Sequence, residues 1–409
     1  MSLILMLATL AVLAVSLLAG QEPFDYFRNS WNVIGLKDYE RGTRITPDNQ
    51  LLLAGKDRVT ISVGNPPTPL SRRQTKTLLE GWLPIVLVTT SAGDVRYELL
   101  FWVTPLPAAA DRERAFAWPT NGGNYLNWIG INVKNTGSRK APARVQFKRW
   151  TAKEDYTKVA ESPPEKPEDL LSRQASVQEF SWNLSPGEVK EGHVNFPFFP
   201  IGSSDAFLKE DPNVWLKNTV DFWKSLMTRA ARISVPCRKA TEAFLASHVC
   251  QLLALDHGEI HGGEGFYDVF YIRDGAYQVM EFEEAGLLEE ARRVLDSYLS
   301  HQRPDGRFES QQGQFDANGQ AVWVLWQYYK ITGDRKWLAE CGNTTRSREI
   351  GNGWRRSIPG CKKLRTGQSQ PGAKRRPTRP FRDCFRPRLP TANIFGKEKT
   401  ISSGTISGT

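Results

Sequence analysis

The chain has 409 residues, 40% of them hydrophobic and 11% aromatic, which is typical of a folded globular protein long enough for two domains. Its formal net charge of +10 is unevenly distributed: residues 342–409 contain 16 Lys and Arg against 3 Asp and Glu, a net of +13, which leaves 38 against 41, a net of −3, for residues 1–341. The composition therefore excludes general disorder and confines any electrostatic attraction to nucleic acid to the C-terminal segment.

The N-terminal segment is apolar. Residues 3–18, LILMLATLAVLAVSLL, are slightly short for a membrane span and fit the core of a signal peptide, with Ala19 and Gly20 offering a cleavage point. No Lys or Arg precedes this run, and Leu17 and Leu18 stand where a small residue would be expected. Residues 1–20 are predicted to be a signal peptide of a secreted or extracytoplasmic protein, with an uncleaved membrane anchor as the alternative.

Residues 21–210 have the pattern of β-strands. Short apolar or alternating stretches such as VTISV, VRYELLFWV and NWIGINVKN are separated by Gly, Pro and Asn turns. Their spacing predicts a large antiparallel β-sandwich without a catalytic constellation. Residues 135–147 and 181–199 are interpreted as hairpins at the edge of the sandwich, and residues 152–175 as a long surface excursion.

Helical periodicity begins near Asp211, and residues 211–235 are predicted to contain a linker helix. Four further helices are predicted over residues 236–255, 274–285, 287–302 and 316–332, and a fifth begins within ITGDRKWLAE, residues 331–340. Short loops containing Gly join successive helices, so sequence neighbours are expected to be antiparallel.

After Cys341 the helical periodicity disappears. Residues 342–409 are rich in Arg, Lys, Gly, Ser, Thr and Pro, with too few apolar residues to form a buried face. Because this segment interrupts the start of a helix, it is interpreted as a basic tail that is disordered or comes from a shifted reading frame; a genuine basic arm and a folded module are the alternatives. Its few aromatic residues support stacking on bases poorly, so no nucleic-acid partner is expected.

Charged residues stand at the starts of two predicted helices. Arg273 and Asp274 begin one helix and Asp316 begins another, and since one antiparallel helix lies between them, their N-termini are expected at the same end. The unpaired N–H groups and the dipole of a helix N-terminus favour a carboxylate, and Asp together with Arg suits a ligand with many hydroxyl groups. The alternative is that Asp274 and Asp316 are ordinary N-caps and that Arg273 pairs with one of them.

Aromatic residues accompany these charges. Tyr267, Phe270, Tyr271 and Trp323 would supply flat apolar walls for the faces of sugar rings. The segment therefore combines the two kinds of side chain that a carbohydrate site requires.

The pattern Tyr267-x-x-x-Tyr271-x-Arg273-Asp274 resembles the Tyr-x-x-x-Trp-x-Arg-Asp signature of the glucoamylase-like six-hairpin glycosidases, with Tyr271 in place of the Trp. GQFDANGQAVWVLWQYYKITGD, residues 313–334, resembles their next landmark, and QRPDGRF, residues 302–308, resembles the loop before it. The resemblance covers residues 210–340 by motif. It covers residues 29–205 by architecture only, since a β-sandwich precedes the helical barrel in the bacterial members.

The resemblance implies a multidomain β plus α fold: an N-terminal antiparallel β-sandwich over residues 21–210, then the linker helix, then an incomplete (α/α)6 six-hairpin barrel over residues 236–341. It implies an inverting glycoside hydrolase acting on α-glucosides, without a cofactor or metal. Arg273 and Asp274 would bind the hydroxyls of the innermost sugar, Tyr267 and Tyr271 would line that subsite, and Asp316 would contact an oligosaccharide substrate at its edge.

The family places its general acid in the loop after the fifth barrel helix and its base near the eleventh. Nothing in residues 342–409 resembles either segment, so the chain as given is expected to be inactive. Four helices without their barrel partners would also leave Val322, Leu325 and Trp326 partly exposed.

Other interpretations stay open. Asp274 and Asp316 could themselves form the catalytic pair, or the protein could be a non-catalytic carbohydrate-binding or structural protein. A glycoside phosphorylase on the same fold would need a phosphate site, which the sequence does not show. His257 and His261, with Glu259 between them, could offer metal ligands, but the surrounding glycines indicate a surface turn and no third ligand is obvious.

Overall fold

The computed structural model describes residues 31–70, 75–106, 123–152, 172–201, 210–264, 267–304 and 306–343. Antiparallel sheets make up its N-terminal part and helices its C-terminal part, so the chain has a β plus α fold. The predicted signal segment, most of the surface excursion and nearly all of the basic tail lie outside these ranges. Within them, no helix has both the length and the apolar character that crossing a membrane requires.

The described ranges contain twelve strands before the first α-helix. They are β1 (Asn32–Ile34), β2 (Thr43–Ile45), β3 (Leu51–Leu52), β4 (Arg58–Val63), β5 (Thr68–Pro69), β6 (Thr75–Leu78), β7 (Val86–Ala92), β8 (Val95–Pro105), β9 (Tyr125–Asn135), β10 (Ala141–Ala152), β11 (Ser172–Leu184) and β12 (Val189–Pro197).

These strands form two sheets. One has the order β1-β2-β3-β4-β10-β11, with β5 beside β4, and the other has the order β12-β9-β8-β7-β6. The strand pairings are antiparallel. Both sheets contribute to one hydrophobic core, which contains Ile61 and Phe147 of the first sheet and Leu99 and Phe101 of the second.

Residues 135–147 and 181–199 are not hairpins, so that expectation was wrong. β9 pairs with β8 and β12, whereas β10 pairs with β4 and β11, and both turns therefore carry the chain from one sheet to the other. Asn135 links the two turns: its backbone N–H donates to the Glu188 carbonyl at 3.1 Å and its side-chain amide donates to the Leu184 carbonyl at 2.9 Å. Apolar alternation is the same in a hairpin and in a strand that changes sheet, so the pattern could not distinguish them.

Six helices follow in the described ranges, with one short hairpin, β13 (Leu255–Asp256) and β14 (Glu259–Ile260), between the second and third. The helices are α1 (Pro212–Thr228), α2 (Arg238–Leu253), α3 (Ile272–Ala285), α4 (Leu288–Ser300), α5 (Asp316–Thr332) and α6 (Arg335–Asn343).

The helix ends follow local sequence signals. The Asp211 carboxylate caps α1 by accepting a hydrogen bond from the Asn213 N–H at 2.9 Å. Gly286 and Gly333 end α3 and α5 with φ values of 78° and 65°, the left-handed conformation that glycine adopts without strain. The predicted linker helix and the four helices after it are therefore confirmed as helices.

The outer face of the second sheet supports the helices. Burial along β8 alternates over its first half and becomes continuous from Phe101 onwards, because Trp102 and Trp128 stack on the outer face with ring centroids 6.0 Å apart and join the core of the helices. Thr219 of α1 donates to the Val103 carbonyl at 3.2 Å. The helix expected to be a linker thus packs directly on the sheet.

Val322 and Leu325 of α5 are buried, so the expected exposure of these two residues was wrong, and Trp326 is half-buried. Val322 and Leu325 belong to the core that α3 and α4 share with the outer face of the second sheet, together with Trp337 of α6. These two residues are therefore buried within this core without the further barrel helices that were expected to cover them.

Charged groups join the sheets to the helical part. Lys37 Nζ lies 2.5 Å from Glu290 Oε1 of α4, and both side chains are buried. Asp38 accepts a hydrogen bond from the Gly258 N–H at 2.7 Å and lies 2.8 Å from the Arg293 guanidinium. The β13–β14 hairpin and α4 are therefore fixed to the segment that follows β1.

Candidate functional site

The N-termini of α3 and α5 lie side by side. Arg273 Nε is 2.9 Å from Asp316 Oδ2, and further along both helices, four residues after Arg273 and seven after Asp316, the rings of Tyr277 and Trp323 are 5.8 Å apart. Because these contacts follow the same order along both helices, α3 and α5 run in the same direction. The predicted meeting of Arg273 and Asp316 at one end is confirmed.

Asp274 and Asp316 do not cap their helices. The N-cap positions are occupied by Tyr271 and Phe315, and neither of these side chains makes a capping hydrogen bond. Asp274 lies in the first turn of α3, is exposed, and accepts no hydrogen bond from the described residues. Both carboxylates nevertheless lie where the helix dipole favours negative charge.

The loop between α4 and α5 holds the two helix starts together. The Ser310 hydroxyl accepts a hydrogen bond from the Ile272 N–H at 2.9 Å and donates to Gln314 at 3.1 Å. The Asn318 side chain accepts from the Phe308 N–H at 3.2 Å. One loop therefore connects the first turns of two helices that are not sequence neighbours.

Gly275 brings α3 close to α4. A Cβ atom there would lie 2.5 Å from the Tyr298 hydroxyl oxygen and 2.9 Å from an Ile260 methyl carbon, which is closer than real Cβ contacts. The Tyr298 hydroxyl donates to the Ile272 carbonyl at 3.4 Å. The glycine that follows Arg273 and Asp274 is therefore a packing requirement that fixes the first turn of α3.

Exposed aromatic side chains lie near this end of the helices. Tyr267, Tyr277 and Phe315 have exposed fractions of 59%, 58% and 73%, and no other aromatic side chain of the described residues is classed as exposed. Tyr267 meets Tyr271 edge-on with ring centroids 6.5 Å apart. The sequence analysis missed Tyr277, although its spacing of four residues from Arg273 places both on one helix face.

The predicted aromatic wall is divided. Trp323 follows Asp316 by seven residues, about 10 Å along the helix axis, and it is half-buried against Tyr277. Phe270 is buried and stacks on His301 with ring centroids 4.0 Å apart, so its expected role as a ligand wall was wrong. The exposed end of α3 and α5 consists of the ion pair, Asp274 and the exposed aromatic rings.

A second polar cluster lies in the segments just before α3. His261 Nδ1 is 2.7 Å from Asp256 Oδ2 and 2.9 Å from Asp268 Oδ1. These side chains offer ligand atoms that all lie within 4.8 Å of one another, a spacing suited to a metal ion. His257, which the sequence paired with His261, is exposed at the hairpin turn with a φ of 50° and does not belong to the group.

Burial raises the pKa values of Asp256 and of the neighbouring Glu264. It raises the pKa of Asp256 to about 6, although His261 opposes the shift. Burial lowers the pKa of His261, but hydrogen bonds and charge interactions with Asp256 and Asp268 raise it to about 10. Burial also raises the pKa of Glu264 to about 8 against a hydrogen bond from the Gly42 N–H, and the two aspartates add to that rise. One imidazole thus lies between two aspartate carboxylates, and Glu264 interacts with both aspartates.

No protein-family model matches the chain, and no curated protein matches it at a significant level. The functional argument therefore rests on the fold and on the geometry of its sites.

Proposed function

We propose that the chain is a carbohydrate-active protein similar to the inverting, glucoamylase-like glycoside hydrolases, and that it binds an α-glucoside at the N-termini of α3 and α5. The observation that carries this proposal is the exposed pair of Arg273 and Asp316, with Asp274 and exposed aromatic rings beside it. A guanidinium donates to sugar hydroxyls, carboxylates accept from them, and aromatic rings cover the apolar faces of the sugar.

The architecture is compatible with the proposed class. Two antiparallel sheets that share one core are what a β-sandwich over residues 21–210 requires. Parallel α3 and α5, with α4 between them in the sequence, fit successive hairpins of an (α/α)6 barrel over residues 236–341. A secreted or extracytoplasmic location, inferred from residues 3–18, is part of the same proposal.

The proposal gives the described residues a role in binding and not in bond cleavage. Inverting hydrolysis needs a carboxylic acid kept protonated by its surroundings and a carboxylate that activates water on the opposite face of the sugar. Asp274 and Asp316 are both exposed, and Asp316 is paired with Arg273. Neither has the apolar surroundings of a general acid, so both are proposed as acceptors for sugar hydroxyls.

Binding of maltose and maltotriose to the full chain tests the proposal, with tryptophan fluorescence or saturation-transfer NMR as the readout. Arg273→Lys keeps the charge but removes the planar pair of donors, and we expect it to weaken maltose binding by about 10-fold or more, the loss of one charge-assisted hydrogen bond. Arg292→Lys is the matched control, because Arg292 lies 3.4 Å from Asp334 beyond the C-terminal end of α5.

Saturable binding that Arg273→Lys weakens and Arg292→Lys leaves unchanged supports the proposed site. Absence of binding at millimolar glucoside, or an equal effect of both substitutions, contradicts it. A hydrolysis assay on the same sugars adds a further distinction, because glucose release that Asp274→Asn abolishes would show that the described carboxylates take part in catalysis.

A further inference from the structure

We infer that Asp256, His261 and Asp268 bind one divalent transition-metal ion, of the class of Zn²⁺ or Mn²⁺, which connects the β13–β14 hairpin to the loop before α3. The three side chains come from three positions: the end of β13, the residue after β14, and the loop that carries Tyr267 and Tyr271. This inference concerns a separate cluster and does not depend on the proposed sugar binding.

Two carboxylates crowd around one ring nitrogen of His261. His261 Nδ1 is 2.7 Å from an oxygen of Asp256 and 2.9 Å from an oxygen of Asp268. A ring nitrogen carries at most one proton, and here it donates to Asp268. A metal ion would use the lone pair of this nitrogen and one oxygen of each aspartate at the same time, so that all three groups would have a partner.

Asp256 is buried and has a carboxylate oxygen without a hydrogen bond from the described residues. Its side chain is only 7% exposed; one oxygen, Oδ2, lies 2.7 Å from His261 Nδ1, whereas the other, Oδ1, accepts no hydrogen bond within the described part of the chain. Buried carboxylates are normally hydrogen-bonded, ion-paired or bound to a metal, and a buried oxygen left without a partner costs folding free energy. Asp256 therefore combines a buried oxygen without a hydrogen bond with a place beside His261 and Asp268, the side chains that would share the ion with it.

The surroundings supply outer partners for such an ion. His261 Nε2 lies 3.9 Å from Glu259, whose other oxygen is 2.7 Å from His301. Carboxylates commonly orient a metal-binding imidazole from this side. Glu264 also lies near both aspartates, and one of its buried oxygens accepts no hydrogen bond within the described residues. Arg41 is a competing cation for Asp268, but its side chain is exposed and its Nε lies 3.8 Å from Asp268 Oδ2.

The ligand set indicates the class of metal. Imidazole nitrogen with two carboxylate oxygens suits Zn²⁺ and Mn²⁺, whereas Ca²⁺ and Mg²⁺ prefer oxygen ligands alone. Zn²⁺ is expected to bind more tightly than Mn²⁺, in line with the general order of divalent affinities. Because Asp268 is adjacent to Tyr267 and three residues from Tyr271, the ion would hold the loop that positions both rings.

The test is metal binding to the full chain after removal of bound metal with a chelator. Titration calorimetry with Zn²⁺, Mn²⁺ and Ca²⁺ is compared for the wild type and for two matched variants, His261→Asn and His257→Asn. We expect one equivalent of Zn²⁺ in the wild type and in His257→Asn. In His261→Asn the affinity is expected to fall by about 100-fold or more, since even the loss of an outer partner reduces metal affinity 10- to 100-fold.

Asp268→Asn provides a second variant should His261→Asn fail to fold. Mn²⁺ paramagnetic resonance supplies a readout that cysteine thiols affect little, and one bound Mn²⁺ that Asp268→Asn releases supports the site. Protection of residues 262–271 from limited proteolysis by Zn²⁺ also supports it. The inference is overturned if the wild type takes up neither Zn²⁺ nor Mn²⁺ near one equivalent, or if Asp268→Asn and His257→Asn bind both ions as the wild type does.

Discussion

The boundary between the sheets and the helices and the exposed end of α3 and α5 each contain an ion pair between a basic and an acidic side chain. The first pair is buried, whereas the second is exposed to solvent. Lys37 and Glu290 are 2% and 0% exposed, whereas Arg273 and Asp316 are 50% and 52% exposed. Removing one partner of a buried pair leaves an unpaired charge without water, whereas an exposed pair keeps most of its hydration. The buried pair therefore fixes the two parts of the fold, and the exposed pair can exchange its partner for a ligand.

The largest effect is expected from Glu290→Ala. The Glu290 carboxylate contacts Lys37 at 2.5 Å and Arg229 at 2.8 Å. Burial raises the pKa of Glu290, but the positive charge of Lys37 outweighs burial and keeps this pKa below its usual value. Its removal leaves the buried Lys37 ammonium without its carboxylate. We expect a loss of about 3–5 kcal/mol in the free energy of unfolding, measured by urea denaturation.

Lys37→Met is the control for that measurement. Glu290 would keep its contact with Arg229, which is partly exposed and remains charged. The loss in unfolding free energy should be smaller than for Glu290→Ala. Equal losses would contradict the view that the effect comes from burying the Lys37 ammonium without the Glu290 carboxylate.

An intermediate effect is expected from Glu283, a buried carboxyl group on α3 that forms no ion pair with the other described residues. Neither of its oxygens accepts a hydrogen bond within the described residues, and burial, with a contribution from Glu284, raises its pKa from 4.5 to about 8. Between these pH values the folded protein binds a proton that the unfolded chain releases, so stability falls as pH rises from 4.5 to about 8.

Glu283→Gln removes this titration. The variant should be more stable than the wild type at pH 8, by on the order of 2–4 kcal/mol, and nearly equal to it at pH 4.5. Thermal unfolding of both proteins across this pH range measures the difference. A difference that stays constant with pH would mean that Glu283 does not titrate differently in the folded and unfolded states.

The smallest effect on stability is expected from Arg273→Ala. The exposed pair with Asp316 contributes less than about 1 kcal/mol, so urea denaturation should differ little from the wild type. Maltose binding should nevertheless be lost in the same preparation. A stability loss of more than about 2 kcal/mol would assign the pair to the structure of the fold and not to a ligand site.

Local sequence signals predicted the helices well. Asp316 and Gly333 mark the start and the end of α5, which spans the predicted residues 316–332. The start of α3 was less accurate, because Ile272 enters the core and the helix begins there, two residues before Asp274. Helix order alone was enough to place Arg273 beside Asp316, since it depends only on the direction of successive helices.

Features that depend on long-range contacts could not be predicted in this way. Which sheet contains β10 and β11 depends on pairing with β4, and alternation carries no information about that pairing. The cluster around His261 depends on a hairpin turn that brings Asp256 to the imidazole and on the loop that returns Asp268 to it. No sequence period connects these three residues, so spacing directed attention to His257 instead.

The contacts of Lys37 and Asp38 also concern the order in which the chain is made. Their partners Glu290 and Gly258 follow them by 253 and 220 residues. At a synthesis rate of about 5–20 residues per second, Lys37 is added to the chain roughly 13–50 s before Glu290. During that interval the Lys37 ammonium and the Asp38 carboxylate must be solvated by water, which hydrates charged side chains readily. Closure of these very distant contacts is then a late event in biogenesis, completed only when α4 has left the ribosome.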